Sequence, residues 1–223
     1  MKDRKRPFKK SIGIVGEGLT ERLYFDYIRS SRRYTFSLKP DLPRHTDYIH
    51  IFRKAKQLLK DGFDLVFCVL DIDAILKDGM IDKFTNECRK LPKRIIPITS
   101  NPCIEFWFLL HFLDTPKSRV YESCQSLIDG NLQKYAPKYE KTEAYFRNSQ
   151  LFSHLEQPDC LEKAMANSMQ ILKKLQDGGD PSLCSFSEVS ILFNQLEKCK
   201  ECNFVSDCKN CSMTISTFFS SNK

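Results

Sequence analysis

The chain has 223 residues, 41% of them hydrophobic, with ten cysteines, four histidines and a formal net charge of +7. That length suffices for one substantial core with a helical appendage. No apolar run approaches the roughly 18 residues of a membrane helix and the amino terminus has no secretory apolar region, which predicts a cytoplasmic protein without a membrane partner.

Residues 1–10 form a basic tail expected to be disordered; they hold six basic side chains against one acid, +5 of the total. The remainder is nearly balanced, so charge alone gives little support for nucleic-acid binding.

Ser11 to Val15 reads as a first buried strand, running into Gly16-Glu-Gly-Leu-Thr-Glu21. A helix follows, with Leu23, Tyr24, Tyr27 and Ile28 on one face and Thr20 as its cap. The glycines let the backbone turn sharply and leave Glu17 at the strand's carboxyl end. The third glycine of a dinucleotide fingerprint and the Gly-Lys-Ser/Thr of a phosphate loop are both missing. Glu17 therefore reads as a metal-binding or acid/base carboxylate, or as a solvated loop glutamate. Tyr34 to Leu38 predicts a second strand, and Thr46 caps a helix carrying Ile49, Phe52, Ala55 and Leu59.

The central stretch is Asp64-Leu-Val-Phe-Cys-Val-Leu-Asp-Ile-Asp73. Its apolar run predicts a strand buried on both faces of a parallel sheet. Asp71 and Asp73 at its end, two apart, would project to one side of an extended chain. Like charges a few Å apart repel by about 4 kcal/mol at an effective dielectric of about 20. A divalent cation that prefers oxygen would offset this. The alternative is that one aspartate caps the next helix and the other is solvated.

Ile81, Phe84, Cys88 and Leu91 mark another amphipathic helix, and 94–100 a fourth strand. This alternation of strand and helix implies a parallel sheet of about four strands with right-handed crossovers. Asn101 and Pro102 read as cap and first residue of a helix through Phe112 that is apolar nearly all round. Glu105 is its anomaly, since a buried carboxylate needs a partner. Starting at a strand's carboxyl end, the helix aims Glu105 at the cleft of Glu17, Asp71 and Asp73. His111 reads as a satisfied core histidine.

Beyond Asp114 the rhythm stops, and 114–198 reads as a helical extension of the 11–113 domain. Lys134, Lys138 and Lys141 interleave with Tyr135, Tyr139 and Tyr145, a pattern that suits nucleic-acid contact or an ordinary solvated insertion. Leu161 to Leu175, a stripe that includes Met165 and Met169, and Val189 to Leu196 are two further helices. In the tail at 199–223, Cys199, Cys202, Cys208 and Cys211 supply four thiolates within 13 residues, enough for a compact structural zinc site. An iron-sulfur cluster or free thiols are the alternatives. The remaining cysteines read as small, reduced core residues.

Three of these features together resemble a Toprim domain, and more narrowly the RloB family. They are the Gly-Glu-Gly-x-Thr-Glu turn at 16–21, Asp71-x-Asp73, and Asn101-Pro-Cys-Ile-Glu-Phe-Trp-Phe-Leu-Leu-His-Phe112, similar to that family's Asn-Pro-x-x-Glu-x-Trp-x-x-x-His signature. Tyr139-Glu-Lys141 is similar to a Tyr-x-Lys element of the same family. The resemblance implies a Toprim-like sheet that binds magnesium or manganese through Glu17, Asp71 and Asp73, with Glu105 as a further ligand or a group orienting one. It also implies phosphodiester cleavage of RNA such as tRNA, or of DNA, with Tyr139 and Lys141 near the nucleic acid. Relatives are similar to the nuclease halves of antiviral, abortive-infection systems, held in check by an ABC-type ATPase. This chain has no Walker motif, in keeping with an ATPase supplied in trans. Ala74, Ile75 and Leu76 stand where many Toprim enzymes place more polar residues, leaving one or two metals open. No tyrosine nucleophile occupies a topoisomerase setting, which argues against strand passage. The other reading is a non-catalytic Toprim module that binds nucleic acid or a partner.

Overall fold

A computed structural model describes residues 11–34, 37–41, 47–116 and 120–201. The first half alternates strand and helix: β1 (Ser11–Val15), α1 (Leu19–Arg32), β2 (Ser37–Asp41), α2 (Tyr48–Lys60), β3 (Leu65–Asp71), α3 (Asp73–Lys77), α4 (Ile81–Arg89) and β4 (Ile95–Asn101). The second half is helical: α5 (Glu105–Leu110), α6 (Cys124–Gly130), α7 (Glu143–Asn148), α8 (Leu151–Leu155), α9 (Pro158–Gln176) and α10 (Val189–Glu201), with β5 (Phe186–Ser187) before the last helix.

The strands form one sheet in the order β2-β1-β3-β4-β5. β1 to β4 are mutually parallel, and β5 adds a short antiparallel edge through Ser100–Ser187 and Asn101–Phe186. The fifth strand is absent from the four-strand expectation because two residues leave no readable alternation. The chain runs outward from β1 to β2, then returns to place β3 on β1's other side. A crevice therefore opens beyond the carboxyl ends of β1 and β3, the position where open α/β sheets collect ligands. Glu17 follows β1 and Asp71 closes β3.

β3 and β4 are apolar because helices cover both faces: Val66 to Leu70 and Ile98 are fully buried. β2 lies three residues later than the apolar pattern suggests and contains Pro40, paired with Ile14. Pro40 is tolerated there because β2 is an edge strand, where a missing N–H breaks no second ladder. The buried Tyr34 precedes the strand and packs with Arg32 and Glu197.

Three cap expectations change. Gly18, not Thr20, precedes α1, and its N–H donates to Glu21 Oε2 at 3.1 Å, while Thr20 is buried against Tyr139. Asp47 caps α2 by accepting from the His50 N–H at 3.1 Å; Thr46 lies outside the described residues. Asn101 caps nothing: its side-chain amide donates to the carbonyls of Pro181 and Cys184, it is joined to Pro102 by a cis peptide, and α5 begins at Glu105.

All six residues of α5 are buried. Its free carboxyl-terminal carbonyls are met from α9, where Asn167 Nδ2 donates to Leu110 at 3.0 Å and Leu113 at 2.7 Å. Trp107 Nε1 donates to the Tyr24 hydroxyl at 2.9 Å, tying α5 to α1. Arg32 holds Glu156 at 2.7 Å and Glu197 at 3.0 Å and lies over the Phe193 ring, linking α1 to the carboxyl-terminal helices. His111 is a core histidine, with Nδ1 2.9 Å from the Trp107 carbonyl; burial pushes its pKa down to about 3, so it is neutral. Met169 stands exposed rather than in the α9 stripe. Among the described residues no helix is long and apolar enough to cross a membrane.

Candidate functional site

The crevice at the end of β1 and β3 gathers carboxylates from four separate segments. Glu17 comes from the turn after β1, Glu21 from the first turn of α1, Asp71 from the last residue of β3, and Glu105 from the first residue of α5. Backbone donors fix three of them, Glu21 through the Gly18 N–H already described. The Asp71 N–H donates to Glu17 Oε1 at 3.0 Å, and the Ile104 N–H donates to Asp71 Oδ1 at 3.1 Å. Glu17 is thus bound to the end of β3, and Asp71 to the entry of α5.

Glu21 is the member that motif reading left without a role. It is buried because it shares the α1 face of Tyr24 and Phe25, three and four residues on, both fully enclosed. Gly16 makes its approach possible, since a Cβ there would lie 2.6 Å from Glu21 Cβ.

Glu105 is fully buried and well supplied at one oxygen. Its Oε1 accepts from the Tyr139 hydroxyl at 2.8 Å and lies 3.0 Å from Lys141 Nζ. Tyr139 is therefore enclosed and offers no face for stacking bases. Its ring packs edge-on against Tyr145 and Phe146, and its hydroxyl is committed to Glu105. Burial, followed by the Glu105 charge, drives the Tyr139 pKa far up, so it stays a donor. Lys141 is half-exposed, and its ammonium partners Glu105.

Asp73 departs from the extended-chain expectation. The strand ends at Asp71, Ile72 turns its side chain into the core, and Asp73 opens α3 with Lys77 Nζ at 3.2 Å. It sits at the rim, near enough for its charge to act on Glu17.

Electrostatics separates this cluster from an ordinary surface patch. Burial, then repulsion by Glu21, pushes Glu17 up to about 8, against the Asp71 N–H that favours its charged form. Burial pushes Glu21 up to about 7; Glu105 raises it and Lys141 lowers it. Asp71 lies well above the carboxylate range, from burial first and then from Glu21, Glu17 and Glu105. Among the described residues Lys141 is the one lysine set against these four carboxylates, and their charges leave the cluster short of positive charge.

Two features of the region were not legible. Cys103, on the turn into α5, and Cys124, the first residue of α6, form a disulfide with Cα atoms 5.6 Å apart, where both read as reduced core cysteines. Their separation of 21 residues carries no spacing signal. Glu188, just before α10, is buried with Oε2 accepting from the backbone and hydroxyl of Thr99 at 2.8 and 2.7 Å. It ties α10 to β4.

Cys199 lies buried within α10, with Gln195 Nε2 3.8 Å from its sulfur. Cys202, Cys208 and Cys211 lie outside the described residues.

An α/β protein with an acidic crevice at the switch point of a mostly parallel sheet is the class these features define. The family model for the RloB-like protein matches residues 12–196, and the chain belongs to that family. Searches of curated proteins and of solved structures returned no match.

Proposed function

We propose that the chain is a metal-dependent nuclease of the Toprim type, acting on RNA such as tRNA or on DNA. The observation that carries this reading is the set of raised carboxylates at Glu17, Glu21 and Asp71, held by backbone donors in a crevice that Lys141 borders. Their donor set is all oxygen, which fits magnesium or manganese. Glu17 and Asp71 would hold the ion, with Asp73 at the rim and Glu21 behind them. Such an ion, when bound, offsets phosphate charge and lowers the pKa of bound water.

The protein's own part is positioning and charge. Asp71 is fixed by Ile104 and fixes Glu17 in turn, so the two carboxylates keep one spacing. Glu105 Oε1 is committed to Tyr139 and Lys141, so it orients Lys141 beside the crevice rather than serving as a magnesium or manganese ligand. Lys141 Nζ is then placed to meet a phosphate oxygen. A cavity of about 290 Å³ lined by Phe112, Tyr135, Tyr145 and His154 offers rings to a base, and Tyr145 packs on Tyr139. The exposed ring of this cavity is Tyr135, parallel to Phe112 at 4.8 Å. An ABC-type ATPase partner and an antiviral role belong to the same reading by family resemblance.

The test is cleavage of labelled tRNA, single-stranded DNA and duplex DNA in magnesium or manganese, with and without an ATPase encoded beside this chain. Cutting that disappears with chelator and in Asp71→Asn supports the nuclease. Binding without cutting in every condition, unchanged in Asp71→Asn, moves the assignment to a non-catalytic binding module.

A further inference from the structure

We propose that in its dithiol state the Cys103–Cys124 pair joins Glu105 in a site for a thiophilic divalent ion of the zinc class, beside Glu17 and Asp71 but sharing neither of those ligands. The inference does not rest on the nuclease reading, since it concerns other donor atoms and another metal chemistry.

Geometry supplies the first argument. One ligand atom from each of Cys103, Glu105 and Cys124 falls within 4.8 Å of the others. Zinc takes sulfur at about 2.3 Å and oxygen at about 2.0–2.2 Å in a tetrahedron, which separates its ligand atoms by roughly 3.5–3.8 Å. The two sulfurs are at bonding distance in the disulfide, so once that bond is broken they need only part to this separation, with the carboxylate already within 4.8 Å of both. Cys103 and Glu105 are buried and Cys124 is half-buried, giving an enclosed pair of donors beside a more accessible one.

The second argument is an unmet need at Glu105. Oε1 has both Tyr139 and Lys141. Oε2, on a side chain with 0% exposure, faces Cys124 Sγ at 3.1 Å. A disulfide sulfur has no hydrogen to give, so this contact supplies the buried oxygen with no donor. Reduction changes that, because the same sulfur then offers a proton or shares a cation with the carboxylate.

Charge supplies the third. Two thiolates and a carboxylate exceed the charge of a divalent ion by one. Lys141 Nζ, 3.0 Å from Glu105 and 3.4 Å from Cys124 Sγ, makes up that difference. The site then closes near neutrality, which lowers the cost of burying its charges.

The chemistry balances as follows. A dithiol reductant delivers two electrons and two protons to the pair, breaking the S–S bond and becoming a disulfide itself. On binding zinc, both thiols release their protons to solvent. The same three side chains then exist either as a disulfide beside a carboxylate or as a metal centre, with a fourth position left to water.

The experiment uses the full chain, reduced with dithiothreitol, desalted without oxygen and titrated with zinc against a chromogenic chelator. The wild type is expected to hold one more zinc ion than Cys124→Ser, whatever the tail cysteines bind in both. Because the variant can fail to fold, maleimide labelling of reduced wild type is read by peptide mass spectrometry. Zinc should slow labelling of Cys124 strongly, while magnesium should not. Equal zinc counts in a folded variant, or labelling of Cys124 that zinc leaves unchanged, overturns the proposal and leaves the pair as a disulfide alone.

Discussion

Tyr139→Phe isolates the contact that holds the acidic crevice to the helical half. The substitution keeps the ring, with its edge-on neighbours Tyr145 at 5.3 Å and Phe146 at 5.8 Å. It removes the hydroxyl that donates to the enclosed Glu105 at 2.8 Å and that also bonds Thr20, a contact which cancels in the double-mutant coupling. A hydrogen bond to a charged acceptor contributes about 1.5–3 kcal/mol, and Lys141 remains to limit the loss at Glu105. For a domain of this size each kcal/mol moves the melting temperature by about 2–4 °C, so Tyr139→Phe should lower it by roughly 3–12 °C. Urea unfolding of wild type, Tyr139→Phe, Glu105→Gln and the double variant gives the coupling directly. In the Glu105→Gln background the cost should shrink towards the about 0.5–1.5 kcal/mol of a neutral hydrogen bond. A loss below about 0.5 kcal/mol in both backgrounds would refute the reasoning, since that is the size of an ordinary surface change.

Gly16→Ala should destabilise by about 1–3 kcal/mol, the cost of overpacking, because the new methyl would meet Glu21 Cβ at 2.6 Å; urea unfolding beside Gly130→Ala, where space is open, checks it. The pH dependence of the metal-free chain follows from Glu17 and Glu21, whose values rise from 4.5 to about 8 and about 7 on folding. Raised carboxylates contribute stability that is complete below about 4.5 and is lost as pH climbs through 8. His111 acts in the opposite sense: its value falls from 6.5 to about 3, so its contribution is full above 6.5 and is lost at lower pH. The carboxylate effect is therefore cleanest between pH 6.5 and pH 8, where melting with chelator should show falling stability. Manganese should restore more at the upper end, and a flat profile would contradict the assignment.

Strong local signals survived folding. The run before Asp71 and the strand before Gly16 each became central strands, since burial on both faces requires continuous apolar sequence. The Glu105 anomaly was legible for the same reason: a carboxylate inside an all-apolar helix must be answered by something. What answered it was not legible. Tyr139 and Lys141 lie 34 and 36 residues away in a segment whose short helices carry little periodicity, and only packing shows that they turn inward. Asp73 misled because an alternating pattern holds only while the strand lasts, and this one ends at Asp71. Glu21 was hidden by its charge: the period of Tyr24 and Phe25 includes position 21, but a glutamate there interrupts the apolar face that marks burial. Family resemblance, by contrast, was carried by short runs of residues, and the match over 12–196 agrees with it.

The account stands most directly on whether the crevice binds a hard divalent cation. Manganese binding to the full chain at pH 7.5, followed by the loss of free-ion paramagnetic resonance signal, measures it without any substrate. The account predicts saturable binding in wild type that magnesium competes away, and that is lost in Asp71→Asn and weakened in Glu17→Gln, with both variants folded by circular dichroism. Manganese binding of equal strength in wild type and Asp71→Asn, or none in either, would contradict it.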